Sequence, residues 1–255
     1  MRWVTGPSWH PHRVRAHLVL VHGSRLSSAQ WAPQVPLLRD HVDLTLVDLP
    51  GHGERVHEPF TLDRCVEVIG AAVGAVPAGT PAVVVGHSLG GYAAMAYAAA
   101  RPDTLDGLVL AGASAVPTGP GAAVYRGVAA LTDRLGAERM TRVNDRVLHR
   151  LYPAERIDPV IAGGYYFAPT AAAWREVMAR CRPSMLEHVR CPVLLLNGRF
   201  DQLRIGARAY LRACPSAREE IVRRAGHLSG LDQPEAFADA LLRFARTVVD
   251  SAPRA

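Results

Sequence analysis

Short apolar runs bounded by Gly, Pro or Asp recur along the chain, at His17–Val21, 42–47, 82–85, 107–110, 193–196 and 220–223. Most are continuously apolar rather than alternating, which is the pattern of strands buried on both faces of a parallel sheet. Between them, the spacing of apolar positions predicts helices at 28–38, 62–76, Leu89–Ala100, 203–213 and 234–249. Strand and helix in alternation predict an α/β fold, with a mostly parallel central sheet and helices on both faces. Residues 3–14 are expected to supply a short antiparallel hairpin at one edge.

The rhythm breaks once. Between Leu110 and Val193 no run reads as a buried strand. Residues 115–120 read as a Pro/Gly-rich loop, 122–151 as helix, and 157–185 continue with helical and aromatic segments. The expected organisation is a core of residues 1–114 and 187–255, with a helical cap, 115–186, inserted in it. The apolar stretch 81–100 carries Gly86, His87, Ser88, Gly90 and Gly91 in its middle, which would break a spanning helix. It reads as strand, turn and helix, and membrane insertion is not expected.

Composition narrows the classes. With 255 residues, 49% hydrophobic and 20% charged, the chain has the make-up of a globular protein. The net charge is +6 and the basic residues are all Arg, but they are scattered rather than clustered, so a nucleic-acid partner is not expected. Cys65, Cys181, Cys191 and Cys214 show neither C-x-x-C nor metal-ligand spacing, and fit a reduced, cytoplasmic setting. Trp3, Pro7, His10 and Pro11 stand where a secretory signal would need an apolar core. No His or Cys cluster has ligand spacing and Gly86–Gly91 lacks the Lys of a phosphate-binding loop, so neither metal nor cofactor is expected.

One segment carries chemistry. Ala82 to Tyr92 reads as an apolar strand, then Gly86-His87-Ser88-Leu89-Gly90, then a helix of small residues. A nucleophilic Ser projecting from a sharp turn needs Gly at its flanks, and the helix that follows directs its N-terminus at developing negative charge. Its hydroxyl needs a base, and the base needs a third group to orient it. Asp201 follows the run 193–196 and the turn Asn197-Gly198, which puts it at a strand's C-terminal end, on the edge that carries Ser88. The same Asp also stands where it would cap a helix starting near Leu203. His227 follows the last strand, in Ala225-Gly226-His227, just before the final helix.

Five segments together resemble the α/β-hydrolase superfamily, in its capped bacterial branch. They are His22-Gly23-Ser24, Asp48-Leu49-Pro50-Gly51-His52-Gly53, Gly86 to Gly91, Asn197-Gly198-Arg199-Phe200-Asp201 and Gly226-His227. They stand in the family's order and span nearly the whole chain. The resemblance implies the order Ser88, Asp201, His227 for a catalytic triad. No acid stands in Leu110–Ser114, where some relatives keep theirs, which favours Asp201. An oxyanion hole would use the N–H of Leu89, next to the nucleophile, and, by the family's His-Gly segment, the N–H of Ser24. Asp48, His52 and His87 read as structural.

Tyr165, Tyr166, Phe167 and Trp174 either line an acyl pocket or pack the cap onto the core; Trp31 likewise faces the pocket or the core. The expected function is a serine hydrolase that acts on a carboxylic ester, thioester or lactone through an acyl-enzyme, with a small acyl substrate as partner. Ser rather than Asp at position 88 argues against dehalogenase chemistry. The same triad also serves C–C bond hydrolysis or cyclisation, and a ligand-binding module is the non-enzymatic alternative.

Overall fold

The computed structural model describes residues 2–4, 13–116 and 136–251. Seven strands form one sheet: β1 (Arg2–Val4), β2 (His17–Val21), β3 (Asp43–Val47), β4 (Ala82–His87), β5 (Gly107–Ala111), β6 (Val193–Gly198) and β7 (Ala217–Val222). Their spatial order is β1-β3-β2-β4-β5-β6-β7. From β3 to β7 every pairing is parallel, and β1 runs antiparallel against β3. The expected N-terminal hairpin is in part a single edge strand, β1; residues 5–12 lie outside the described residues.

The continuous apolar runs have a direct cause. In β2, Val19 and Val21 pack into one hydrophobic cluster, and Leu18 and Leu20 into another, on the opposite face of the sheet. In β5, Leu108 and Leu110 go one way, and Val109 and Ala111 the other. Successive strand residues point to opposite faces, so a sheet covered on both sides leaves few polar positions, and the buried His17 of β2 and Thr45 of β3 bond each other at 2.7 Å. Fully burying each such Val or Leu stabilises the fold by roughly 1.5–3 kcal/mol.

One face is covered by α2 (Leu62–Gly74) and α3 (Leu89–Ala100), and the other by α1 (Val35–Leu38) and α9 (Pro234–Ser251). The expected helix 28–38 is a 3-10 turn, Ser28–Trp31, followed by α1. Pro33 and Pro36 each lack the N–H that a continuous helix needs. The expected helix 203–213 similarly divides into a 3-10 turn, Gln202–Gly206, and α7 (Ala207–Ala213). A one-turn helix, α8 (Ser229–Asp232), precedes α9.

Between β5 and β6 lie α4 (Ala137–Leu151), α5 (Ala154–Ile161) and α6 (Thr170–Arg180), then a 3-10 turn, Pro183–His188. Residues 117–135, which hold most of the expected loop and the first part of the expected helix, lie outside the described residues. Tyr152, Ile157 and Val160 form a small cluster with Leu231 of α8. All four cysteines are free and buried. Among the described residues, no helix is long and apolar enough to cross a membrane.

Candidate active site

β4 delivers Ser88 to the C-terminal edge of the sheet, and α3 leaves from it. The turn is tight. A Cβ added at Gly86 would stand 2.3 Å from the carbonyl oxygen of Gly90. Ser88 itself is held at φ 50 and ψ −116, a conformation that L-residues rarely adopt. Its N–H donates to the carbonyl of Ala111, at 2.8 Å, which ties the turn to the end of β5.

Three loops converge there. The Oγ of Ser88 stands 3.0 Å from Nε2 of His227, whose Nδ1 stands 3.1 Å from Oδ1 of Asp201. That oxygen also accepts the N–H of Leu203, at 2.8 Å, so Asp201 both caps the following 3-10 turn and holds the imidazole. Burial alone would raise the Asp201 carboxyl. The hydrogen bond and charge of His227, with the Leu203 N–H, outweigh it and leave the pKa below the ordinary carboxylate value. Ser88 and Asp201 are buried, whereas the His227 side chain keeps 24% exposure. A buried acid, a half-exposed imidazole and a hydroxyl in one hydrogen-bonded line can move a proton from oxygen to nitrogen.

His87 turns away from the Ser88 hydroxyl. Its Nε2 lies 2.9 Å from the backbone carbonyl of His227. A carbonyl only accepts, so Nε2 carries the proton. Burial, then the neighbouring His227, pushes the His87 pKa down to about 4, so the ring is neutral. Its role is to hold the backbone of His227.

The loop after β2 is fixed from behind. Nε2 of His22 accepts the N–H of Leu49, at 3.0 Å, which leaves Nδ1 to donate to the carbonyl of Gly23, at 2.7 Å. The Gly23 N–H donates to Oε1 of Gln30, at 2.8 Å. Asp48 accepts N–H groups from Ser28 and Glu54, at 2.6 and 3.1 Å, and so joins this loop to the Pro50–Gly53 loop. In that second loop Nδ1 of His52 donates to the carbonyl of Pro50, at 2.9 Å. Ser24 follows, with its Oγ buried and without a partner. Leu89 is the first residue of α3, so its N–H has no acceptor within the helix.

A cavity of about 570 Å³ opens over Ser88 and His227. Ser24, Leu26, Trp174, Leu203 and Ile205 contribute to its walls. A larger groove, about 1060 Å³, lies along β7 and α9 away from Ser88. Of the aromatic residues that sequence suggested, Trp174 alone lines the cavity. Trp31 is buried in the core, its ring 6.2 Å from that of Phe237. Tyr165 stacks on Phe167, at 6.0 Å, and donates to Asp145. Tyr166 donates to the carbonyl of Gly163 and packs on His52. Phe167 lies under the guanidinium of Arg25, at 5.7 Å. Arg25, Gln30, Gln202 and Leu228, which no sequence pattern singled out, do line the cavity.

Comparison with known proteins bears on the family and the fold. A family model described as the alpha/beta hydrolase family matches residues 18–240. A pimeloyl-[acyl-carrier protein] methyl ester esterase of Xylella fastidiosa is 43% identical over 96 residues, which is 37% of this chain and 35% of the relative's own length. The esterase of the same name from Cronobacter sakazakii is 30% identical over 253 residues, covering 89% of this chain and 91% of the relative. Among solved structures, a thermophilic esterase from Thermogutta terrifontis aligns with a TM-score of 0.74 at 27% identity, over 91% of this chain and 90% of its own. MenH from S. aureus aligns with a TM-score of 0.79 over 97% and 98% of the two chains, and at 18% identity that likeness speaks for the fold alone.

Proposed function

Because the chain belongs to the alpha/beta hydrolase family, we propose that it hydrolyses a carboxylic ester with Ser88 as nucleophile, His227 as base and Asp201 as the orienting acid. The observation that carries this reading is the hydrogen-bonded line from Ser88 through His227 to Asp201, at 3.0 and 3.1 Å, opening into a cavity. The esterase names of the relatives support an ester as the bond cleaved.

In this mechanism Nε2 of His227 takes the hydroxyl proton as the Ser88 oxygen attacks the ester carbon. Asp201 steadies the imidazolium that forms. The N–H groups of Leu89 and Ser24 receive the carbonyl oxygen as it becomes negative, and α3 adds the positive end of its dipole. Collapse of the tetrahedral adduct releases the alcohol, which takes its proton from His227, and leaves an acyl-Ser88. Water, deprotonated by His227, then frees the acid and regenerates Ser88.

Residues 115–186 act as a cap in this reading. Ala115, Val116 and Trp174 contribute to the cavity that holds Ser88, and the carbonyl of Gly163 accepts from the hydroxyl of Ser27 in the loop after β2, at 3.3 Å. A cover so placed excludes water and selects the acyl chain.

Ser88→Ala tests the assignment. Turnover of p-nitrophenyl esters is expected to fall by about 10³-fold or more, with labelling by a fluorophosphonate abolished. Near wild-type turnover in a folded Ser88→Ala protein would remove Ser88 from the mechanism.

A further inference from the structure

Two side chains grip the backbone of the loop after β2. The Nδ1–H of His22 donates to the Gly23 carbonyl, at 2.7 Å. The carbonyl and the N–H of one trans peptide point opposite ways, so the Ser24 N–H is turned away from His22. The preceding peptide is held from the other side by Gln30, whose Oε1 accepts the Gly23 N–H at 2.8 Å. This bond is buried, and a buried backbone N–H is costly to leave without an acceptor.

Gln30 is itself anchored. It lies in the 3-10 turn Ser28–Trp31, and its own N–H donates to the Ser27 carbonyl at 2.9 Å. The turn begins where the Ser28 N–H meets Oδ1 of Asp48, and it ends in Trp31, buried against Phe237. The space around Gly23 is filled. A Cβ there would stand 2.7 Å from Nδ1 of His87 and 3.3 Å from Oε1 of Gln30. A Cβ at Gly90 would stand 2.5 Å from the carbonyl oxygens of His22 and Val21, so the start of α3 sits directly on the same loop. The N–H groups of Ser24 and Leu89 are therefore carried by two backbone segments in contact. Gly23, Ser24, Gln30 and Ser88 all line one cavity.

We infer that Gln30 is a positioning residue for the oxyanion donors. By holding the Gly23 N–H, it keeps the Ser24 N–H aimed where the carbonyl oxygen of the ester becomes negative. It acts through the backbone and not on the substrate. A neutral amide suits the place, since a carboxylate there would oppose the charge that develops on that oxygen. Donors aimed at the transition state lower the barrier without tightening the ground state, so a loss of aim is read in kcat and not in KM. The inference rests on the proposed ester chemistry and adds to it the residue that sets the second donor.

The test uses two substitutions that share only the loss of the acceptor. Gln30→Met removes it at nearly the same length, and Gln30→Asn keeps a buried amide that is one methylene too short to reach Gly23. Each is expected to lower kcat on p-nitrophenyl butyrate by about 10-fold or more, with KM within about 2-fold of wild type. The second readout is inhibition by an alkyl trifluoromethyl ketone. The Ser88 oxygen adds to its carbonyl carbon, the hydroxyl proton passes to His227, and the ketone oxygen becomes an oxyanion in the place the donors serve. Its affinity should fall by the same factor as kcat, a correspondence that a residue needed only for packing would not produce. Melting curves establish that each variant is folded, and Gln30→Asn carries the test if Gln30→Met does not fold. Wild-type kcat, a loss that appears in KM alone, or an unchanged ketone affinity would overturn the role of Gln30. With Ser88 still labelled by a fluorophosphonate, each of those results would leave the esterase reading standing. Wild-type protein with neither ester turnover nor Ser88 labelling would overturn the esterase reading instead.

Discussion

At the scale of single residues, the space around the proposed acid and base is as important as the two side chains themselves. Gly112, at the end of β5, takes φ +57, and a Cβ there would stand 3.0 Å from Oδ2 of Asp201 and 3.2 Å from Nδ1 of His227. Gly112→Ala therefore carries two penalties. The left-handed backbone costs about 1 kcal/mol once a Cβ is present. The methyl also presses on the carboxylate–imidazole contact, and misplacing a catalytic group by about 1 Å can cost 10²-fold in rate. The variant is expected to fold, melt a few degrees lower and lose about 10-fold or more in kcat on a p-nitrophenyl ester. Melting and kcat measured on one preparation check this, and an unchanged kcat would show that the contact tolerates the methyl. Nothing in the sequence marked Gly112 as special, because its neighbours in space come from loops after two other strands.

At the scale of elements, legibility followed burial. β2, β4, β5 and β6 were readable because both their faces are covered and their runs contain little that is polar. β7 is the edge strand opposite β1, and it begins at Ala217, ahead of the expected start at Glu220. Arg218 and Glu219 belong to it, and charged residues on an edge strand hide it from a reading based on apolar runs. The helix after Ser88 was readable to the residue, whereas 28–38 was divided by Pro33 and Pro36. Ser88, Asp201 and His227 were legible because each follows a strand in a turn of recognisable chemistry. The cavity walls were not. They assemble from residues 24–26, 115–116, 174, 202–203 and 205, and no periodicity relates those positions. Trp31 illustrates the limit, since an aromatic near the site reads the same whether it faces the cavity or Phe237.

At the scale of the whole molecule, buried histidines make stability depend on pH. Burial lowers the pKa of His17 and His22, and takes His52 to about 3 and His87 to about 4, from an ordinary 6.5. The unfolded chain therefore binds protons at these groups as pH falls through 6.5, while the folded chain still refuses them. Their contribution to stability is complete above that pH. It is lost progressively below it, until the folded groups themselves take protons near pH 4 and 3. Within that window each group costs up to about 1.4 kcal/mol per pH unit. His149 has its pKa raised and acts in the opposite sense, but it is exposed to solvent. The melting temperature is expected to drop steeply between pH 7 and pH 5, well above the range where carboxylates titrate. A scanning calorimetry series across those values checks it, and a flat profile would mean that the four rings tolerate charge.

The pairing of β5 with β6 has a consequence in time. Leu108 pairs with Val193, about 85 residues further along the chain, whereas β3, β2, β4 and β5 all come from the first 111 residues. Closing so long a loop is entropically slow relative to pairing the earlier strands. The strand that carries Ser88 can thus take its place before Asp201 and His227 reach it, and the proposed nucleophile waits without its proposed base. On refolding from denaturant, the far-ultraviolet circular dichroism signal is expected to recover ahead of the ability of Ser88 to react with a fluorophosphonate. Quenched labelling at successive delays, set beside stopped-flow dichroism, would measure the lag, and coincident traces would mean that the sheet closes in a single step.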